Sequence, residues 1–231
     1  MPELRRYDQR SSVKKQEVLQ PFVRGNLQQT APWDGEKMPG VIFSEKEHTY
    51  HLDGIAYPSV TTVLSAEGFI DARFYDDWSR ERGQFGHKAT ALHDLNQLDE
   101  DALDPVLVPY LDAWKRFRSD TGFLPSSVEV PLVSTRYHFA GTPDRVGTFG
   151  DTSCIIIDLK LGKPEPWAAI QTAAYRLLID SPYKRAALHL MGDGRYRLYP
   201  HTDRQDAAIF QAALACYHWK RNNLKHLREA A

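Results

Sequence analysis

Apolar positions recur every second residue in some stretches of this chain and every third or fourth in others, so the switches between periods mark out its elements. Val41 to Phe43 and Thr49 to Leu52 read as short strands, and Asp53-Gly54 supplies a turn into Ile55 to Tyr57. Pro58-Ser59 opens a short helix carrying Val60, Val63 and Leu64, with Ser59 as its cap. Phe74 to Leu98 form a long helical pattern interrupted by Gly83 and Gly86. A further helix from about Val106 to Arg118 aligns Val108, Leu111, Trp114 and Phe117. Beyond Gly122 the period becomes two, which predicts three consecutive strands at Val128 to Val133, Tyr137 to Phe149 and Ser153 to Lys160. Pro166 stands where a first helical residue belongs, and Trp167, Ile170, Ala174, Leu177 and Leu178 continue that helix. Ala186 to Met191 and Tyr196 to Tyr199 flank the hairpin signal Gly192-Asp193-Gly194. A last helix from about Asp203 to Arg228 carries Ile209, Phe210, Leu214, Tyr217 and Trp219. The order predicts an α/β fold with a mixed sheet.

Composition narrows the setting. Residues 1–40 lack periodicity, are rich in Gln, Ser, Arg and Lys, and end in Pro32, Gly35, Pro39 and Gly40. With seven basic against five acidic side chains, they read as a flexible N-terminal arm. Residues 41–231 read as a single domain, with a helical part over 58–120 and an α/β core over 122–231. At 231 residues and 42% hydrophobic content, the chain can bury a real core. No stretch approaches the ~18 to 20 continuous apolar residues of a membrane helix. The N-terminus carries charge without an apolar segment, so no secretory signal is expected and the cytoplasm is the expected location. Cys154 and Cys216 are the only cysteines, too few for a disulfide framework or a four-cysteine metal site, and they fit a reducing compartment. The 29 basic and 30 acidic residues nearly cancel. Binding to a polyanion would therefore rest on local patches or on metal ions.

The chemistry concentrates in Gly141-Thr142-Pro143-Asp144, followed fourteen residues after Asp144 by Asp158-Leu159-Lys160. Cys154 to Ile157 form a continuous apolar run, the mark of a strand covered on both faces. Side chains two apart in a strand leave the same face, so Asp158 and Lys160 point together and Leu159 points into the core. Charges at the end of a buried strand are costly unless something compensates them. A structural ion pair accounts for two of them, but not for Asp144 on the preceding strand. Gly141 and Pro143 mark a bulge or bend there, which can aim Asp144 at the same spot. Two carboxylates converging beside one lysine raise a pKa or recruit a cation, and a divalent metal with oxygen ligands resolves the conflict.

This arrangement resembles the PD-(D/E)XK nuclease superfamily, with Pro143-Asp144 as its first half and Asp158-x-Lys160 as its second. Within it, the RecB-like and phage-type exonuclease subgroup is the most similar. Arg82-Gly83-x-x-x-His87 is similar to that subgroup's helical R-G-x-x-x-H motif, and Glu129 stands where its members often carry an acidic residue. Gln171-x-x-x-Tyr175 resembles their third, helical motif, and Tyr57-Pro58-Ser59-Val60-Thr61 resembles the leader of phage members. The matches span roughly residues 50 to 220. The cluster-bearing branch needs four cysteines, so no iron–sulfur cluster is expected.

The resemblance implies a restriction-endonuclease-like core, a mixed β-sheet flanked by helices, and a metal-dependent DNA exonuclease. Asp144, Asp158, Lys160 and Gln171 would be catalytic. His87, Glu129, Asp144, Asp158 and the Leu159 carbonyl would hold one or two Mg²⁺ or Mn²⁺ ions. Arg82, Arg145, Lys163, Tyr175 and Arg176 would contact DNA. Phage-type recombination, repair or replication is the implied setting. No helicase motor is present, so any unwinding would come from a partner protein. An endonuclease on the same fold and a silent nucleic-acid-binding protein are the competing readings; a zinc hydrolase is a more distant one.

Overall fold

The computed structural model describes residues 40–44, 49–71, 76–149 and 153–224. The arm 1–39, the Phe74 start of the second helical pattern and the Arg228 end of the last helix lie outside the described residues.

Val41–Ser44 (β1), Thr49–Leu52 (β2) and Ile55–Tyr57 (β3) form a three-stranded antiparallel sheet, as their alternation predicts. Val60–Ala66 (α1) follows, and the Ser59 hydroxyl accepts from the Thr62 N–H at 2.9 Å. That cap satisfies one of the helix's orphan donors. Asp77–Asp94 (α2) is capped by Asp76 and runs unbroken through Gly83 and Gly86, correcting the expected interruption. Gly86 has a packing role: a Cβ there would lie 2.1 Å from Leu161 Cδ2, so the missing side chain lets the helix close on the end of a strand. Gly83 faces open space. Val108–Thr121 (α3) buries Leu111, Trp114 and Phe117 but leaves Val108 exposed, and ends on left-handed Gly122.

Two expected strands are broken. The segment expected at Val128 to Val133 divides into Phe123–Val128 (β4) and Leu132–Ser134 (β5), because Glu129 turns to φ +48 and Pro131 lacks an N–H. Tyr137 to Phe149 divides likewise into Phe139–Gly141 (β6) and Arg145–Phe149 (β7). Pro143 cannot donate to a ladder, so the chain bends and β6 pairs with β5 while β7 joins another sheet.

That larger sheet orders β10-β9-β8-β7-β4, with Ser153–Lys160 as β8, Lys184–Leu190 as β9 and Tyr196–Pro200 as β10. β8 and β9 are parallel, joined by Trp167–Ile179 (α4), and the other pairs are antiparallel, so the sheet is mixed. Gln205–Asn223 (α5) closes the described chain. Helices flank both faces. Ile156 packs with Val60, Val63, Phe139, Ile170 and Phe210 beside α1, α4 and α5. Ile155, Ile157 and Leu159 pack with Leu111, Trp114 and Phe117 beside α3. This double burial is why β8 reads as a continuous apolar run until its charged end.

Candidate active site

Three breaks in regular structure bring the polar side chains together. β8 ends in Asp158, Leu159 and Lys160. Leu159 is fully buried in the α3-side core, while Lys160 Nζ lies 2.7 Å from Asp158 Oδ2 on the opposite face. The bend before β7 brings Asp144 alongside, and its Oδ2 accepts from the Leu159 N–H at 2.7 Å. Glu129, at the end of β4, is tied to the same bend through its N–H and the Asp144 carbonyl, 3.1 Å apart. His87 arrives on α2, its Nδ1 3.4 Å from Asp144 Oδ1.

His87, Glu129 and Asp144 each offer one ligand atom, and these atoms lie within 4.8 Å of one another. Ligands on opposite sides of one cation, each at about 2.0 to 2.6 Å, are separated by about 4 to 5 Å, so the group matches the span of a single site. Glu129 Oε1 is buried without a hydrogen-bond partner, the state of an oxygen suited to a cation. Glu129 also holds a left-handed φ of +48, a conformation that costs a non-glycine residue about 1 kcal/mol or more. The donor set of one imidazole and two carboxylates suits a divalent cation. Asp158 stands beside this group, engaged with Lys160.

Burial and mutual charge set the protonation of the cluster. Burial, reinforced by the neighbouring Asp144 charge, pushes the Asp158 carboxyl up to about 6 even with Lys160 beside it. Burial and the same Asp144 charge raise Glu129. Burial also opposes ionisation of Asp144, but His87, Lys160 and the Leu159 N–H outweigh it and hold the carboxyl low. His87 is raised: burial disfavours its cation, and the Asp144 carboxylate more than offsets that.

On the other side, Lys160 Nζ donates to Gln171 Oε1 at 3.0 Å, and Gln171 Nε2 donates to the Tyr175 hydroxyl at 2.9 Å. The expected i, i+4 pairing of Gln171 and Tyr175 is therefore present. Tyr175 packs in one core with Ile170 and Ala174. Burial drives the Tyr175 phenol well above its ordinary pKa, so it stays protonated.

The remaining expected residues scatter. Arg82 Nη2 donates to the Leu161 carbonyl at 3.2 Å, and its guanidinium lies 5.8 Å from the Tyr110 ring centroid. Lys163 is exposed just beyond β8. Arg176, late on α4, is influenced by the charges of Arg185 and Asp206. Arg145 is fully buried, with its Nε 2.6 Å from Asp94 Oδ2, so its guanidinium lies in the interior rather than on a surface phosphate track.

Sequence reading missed Tyr50, Thr142, Trp167, Thr90 and Asp94. Tyr50 and Thr142 share a hydrogen bond of 2.8 Å that braces the bend before Asp144, and burial raises the Tyr50 phenol to about 12. Lys160 Nζ lies 4.7 Å from the Trp167 ring centroid, a cation–π contact. Thr90 and Asp94 follow His87 by three and seven residues, a spacing that already puts all three on one helical face.

No protein-family model and no curated protein matches this sequence. Among solved structures, the chain is similar to the alkaline exonuclease (LHK-Exo) of Laribacter hongkongensis. The two are 17% identical, with 75% of this chain and 92% of that one covered and a TM-score of 0.42. The same enzyme in complex with dAMP gives 16% identity, the same coverage and a TM-score of 0.45.

Proposed function

We propose that this chain is a divalent-metal-dependent deoxyribonuclease of the PD-(D/E)XK type that removes nucleotides from the ends of linear DNA. The observation that carries the reading is the meeting of Asp144 with the Asp158–Lys160 pair at one strand end. There Glu129 Oε1 lies buried without a hydrogen bond beside His87 and Asp144, with Arg145 Nη1 3.7 Å away. His87, Glu129 and Asp144 would hold Mg²⁺ or Mn²⁺, with Asp158 and the Leu159 carbonyl as the adjoining oxygen donors. Such an ion, when bound, supplies Lewis-acid stabilisation of the phosphate's charge and lowers the pKa of water.

The chain's own groups do the rest. An ammonium has three donors, and Lys160 gives one to Gln171 while facing the Asp158 carboxylate as an ion pair. A further donor remains to orient a water or to offset charge building on the phosphate in the transition state. Gln171 holds Lys160 from α4, and Asp158 holds it from β8. Arg82 and exposed Lys163 flank the end of β8 as contacts for the DNA backbone.

The test is a time course on 5′- and 3′-labelled linear duplex and single strand with Mg²⁺, Mn²⁺ or chelator, beside covalently closed circles. Release of nucleotides from linear DNA that needs the metal, with closed circles intact, is expected. Nicking of closed circles would make the enzyme an endonuclease. Cleavage at the wild-type rate in folded Asp158→Asn or Lys160→Ala protein would refute the assignment.

A further inference from the structure

Arg145 is a strand residue whose whole guanidinium lies in the interior. Each of its three nitrogens donates one hydrogen bond. Nε donates to Asp94 Oδ2 at 2.6 Å, Nη1 to the Asp144 carbonyl at 2.6 Å, and Nη2 to Thr90 Oγ1 at 3.1 Å. The guanidinium lies 5.3 Å from the Trp114 ring centroid. Asp94 is held in turn by Trp114 Nε1 at 2.9 Å and Arg118 Nη1 at 2.7 Å. Thr90 donates its hydroxyl hydrogen to the His87 carbonyl at 2.8 Å. Nη1 also faces Glu129 Oε1 at 3.7 Å. One planar group thus touches the Asp144 backbone, confronts the Glu129 carboxylate and, through Thr90, grips the turn of α2 that carries His87.

Resting on the metal-site reading above, we propose that Arg145, locked by Asp94, is a positioning residue that sets the spacing of His87, Glu129 and Asp144 for a divalent cation. Charge alone would argue against a guanidinium here, since it repels a second cation. The Asp94 carboxylate, shared with Arg118, offsets part of that charge at close range, and the contact fixes the guanidinium's donor geometry. Lysine keeps the charge but has one nitrogen and no rigid fork, so it cannot reach Asp94, the Asp144 carbonyl and Thr90 together.

The experiment titrates Mn²⁺ into the full chain by calorimetry and measures the Mn²⁺ needed for half-maximal DNA cleavage. It compares wild type, Arg145→Lys, Asp94→Asn and Arg185→Met, each checked for fold by circular dichroism. Arg145→Lys and Asp94→Asn are expected to bind Mn²⁺ roughly 10- to 100-fold more weakly, as for other residues that orient ligands. Cleavage by Arg145→Lys should recover at high Mn²⁺, which a merely loosened fold would not give. Where a variant does not fold, Thr90→Val carries the same test with a smaller loss. Unchanged Mn²⁺ affinity in the folded variants overturns the proposal, and so does an equal loss in Arg185→Met, whose buried arginine lies on the opposite sheet face. Wild-type protein that binds no Mn²⁺ overturns both this proposal and the metal site. Wild type that binds Mn²⁺ but cleaves no DNA overturns the nuclease reading alone, and the calorimetric comparison still decides the role of Arg145.

Discussion

Two arginines are buried on either side of β8, and they are built alike. Arg145 pairs in register with Ile157 and Arg185 with Ile156, so they lie on opposite faces of the sheet. Each meets a buried aspartate, Asp94 at 2.6 Å and Asp206 at 2.9 Å. Each also meets a helical threonine whose hydroxyl donates three residues back, Thr90 to His87 and Thr172 to Ala169. The difference lies in what else they touch. Arg185 binds the Ala169 and Asp203 carbonyls, tying α4 to the start of α5. Arg145 binds the Asp144 carbonyl and faces Glu129. One device serves both faces, and only the groups at its far side decide whether it fastens helices or shapes a site.

The largest effect expected lies outside both assemblies. On the nuclease reading proposed above, Lys160→Ala removes a donor that would meet the phosphate, and loss of one such preorganised donor lowers rate by about 10²- to 10³-fold or more. Single-turnover cleavage at saturating Mn²⁺ reads this directly on protein shown to be folded, because Lys160→Ala also leaves the buried Asp158 carboxyl without its ion partner and lowers the melting temperature. A drop of the same size in an Arg145 variant at saturating metal would erase the distinction between acting on substrate and positioning the ligands.

Arg185→Met comes next, in stability rather than rate. Removing one partner of a buried ion pair strands the other and costs about 3 to 5 kcal/mol. Urea unfolding should show that loss while the remaining folded protein binds Mn²⁺ as wild type does. A weakened Mn²⁺ affinity would mean that the two faces are not separable.

Much of this layout is legible in the sequence, and the parts that are not have a physical reason. The run Cys154 to Ile157 followed by Asp158-Leu159-Lys160 fixes a central strand and its polar end, since burial on both faces leaves no other reading. His87 and Asp144 need only a helix and a bend to meet. Arg145 gives no such sign, because a charged residue in a strand reads as surface unless its counter-ion is known. Asp94 is 51 residues away in sequence. The breaks at Glu129 and Pro143 were visible as residues but not as changes of sheet, because strand alternation continues through both. Trp167 was absorbed into a core stripe, and its contact with Lys160 depends on how α4 returns over β8.

The protonation pattern offers a smaller, pH-dependent handle on the site face. A buried acid raised to about 6 favours folding while protonated, so its contribution fades as pH climbs from about 4 to about 6. His87 and Glu129 are also raised and act in the same sense, losing stabilisation as pH rises through their folded values. Asp144 is lowered and acts oppositely, losing stability only in strong acid. Through Asp158, His87 and Glu129 metal-free protein should melt lower as pH rises over this range, and His201, held down, acts against them. Asp158→Asn should flatten the slope, and Mn²⁺ should restore stability at the alkaline end by binding the folded form. At the Arg185 assembly, burial and the arginine's charge hold His201 down to about 4, so over the same range the unfolded chain binds a proton there that the folded chain does not, and this contribution rises with pH.

The finest comparison pits the two threonines against each other. Thr90→Val and Thr172→Val each delete one hydroxyl at a fully buried position while nearly preserving shape. Loss of such a hydrogen bond leaves an arginine donor short of a partner and costs about 1 kcal/mol, somewhat more where no acceptor is near. Arg185 Nη1 keeps the Ala169 carbonyl at 2.7 Å after the change, whereas Arg145 Nη2 loses its Thr90 partner. Urea unfolding should show a loss for Thr172→Val, whose hydroxyl also bonds His201 Nδ1 at 2.9 Å, and for Thr90→Val. Thr90→Val alone should weaken Mn²⁺ binding, by a few-fold, because only Thr90 links the guanidinium to the helical turn bearing His87. Stability losses with no change in Mn²⁺ affinity for either variant would reduce Arg145 to what Arg185 already is, a rivet between strand and helix.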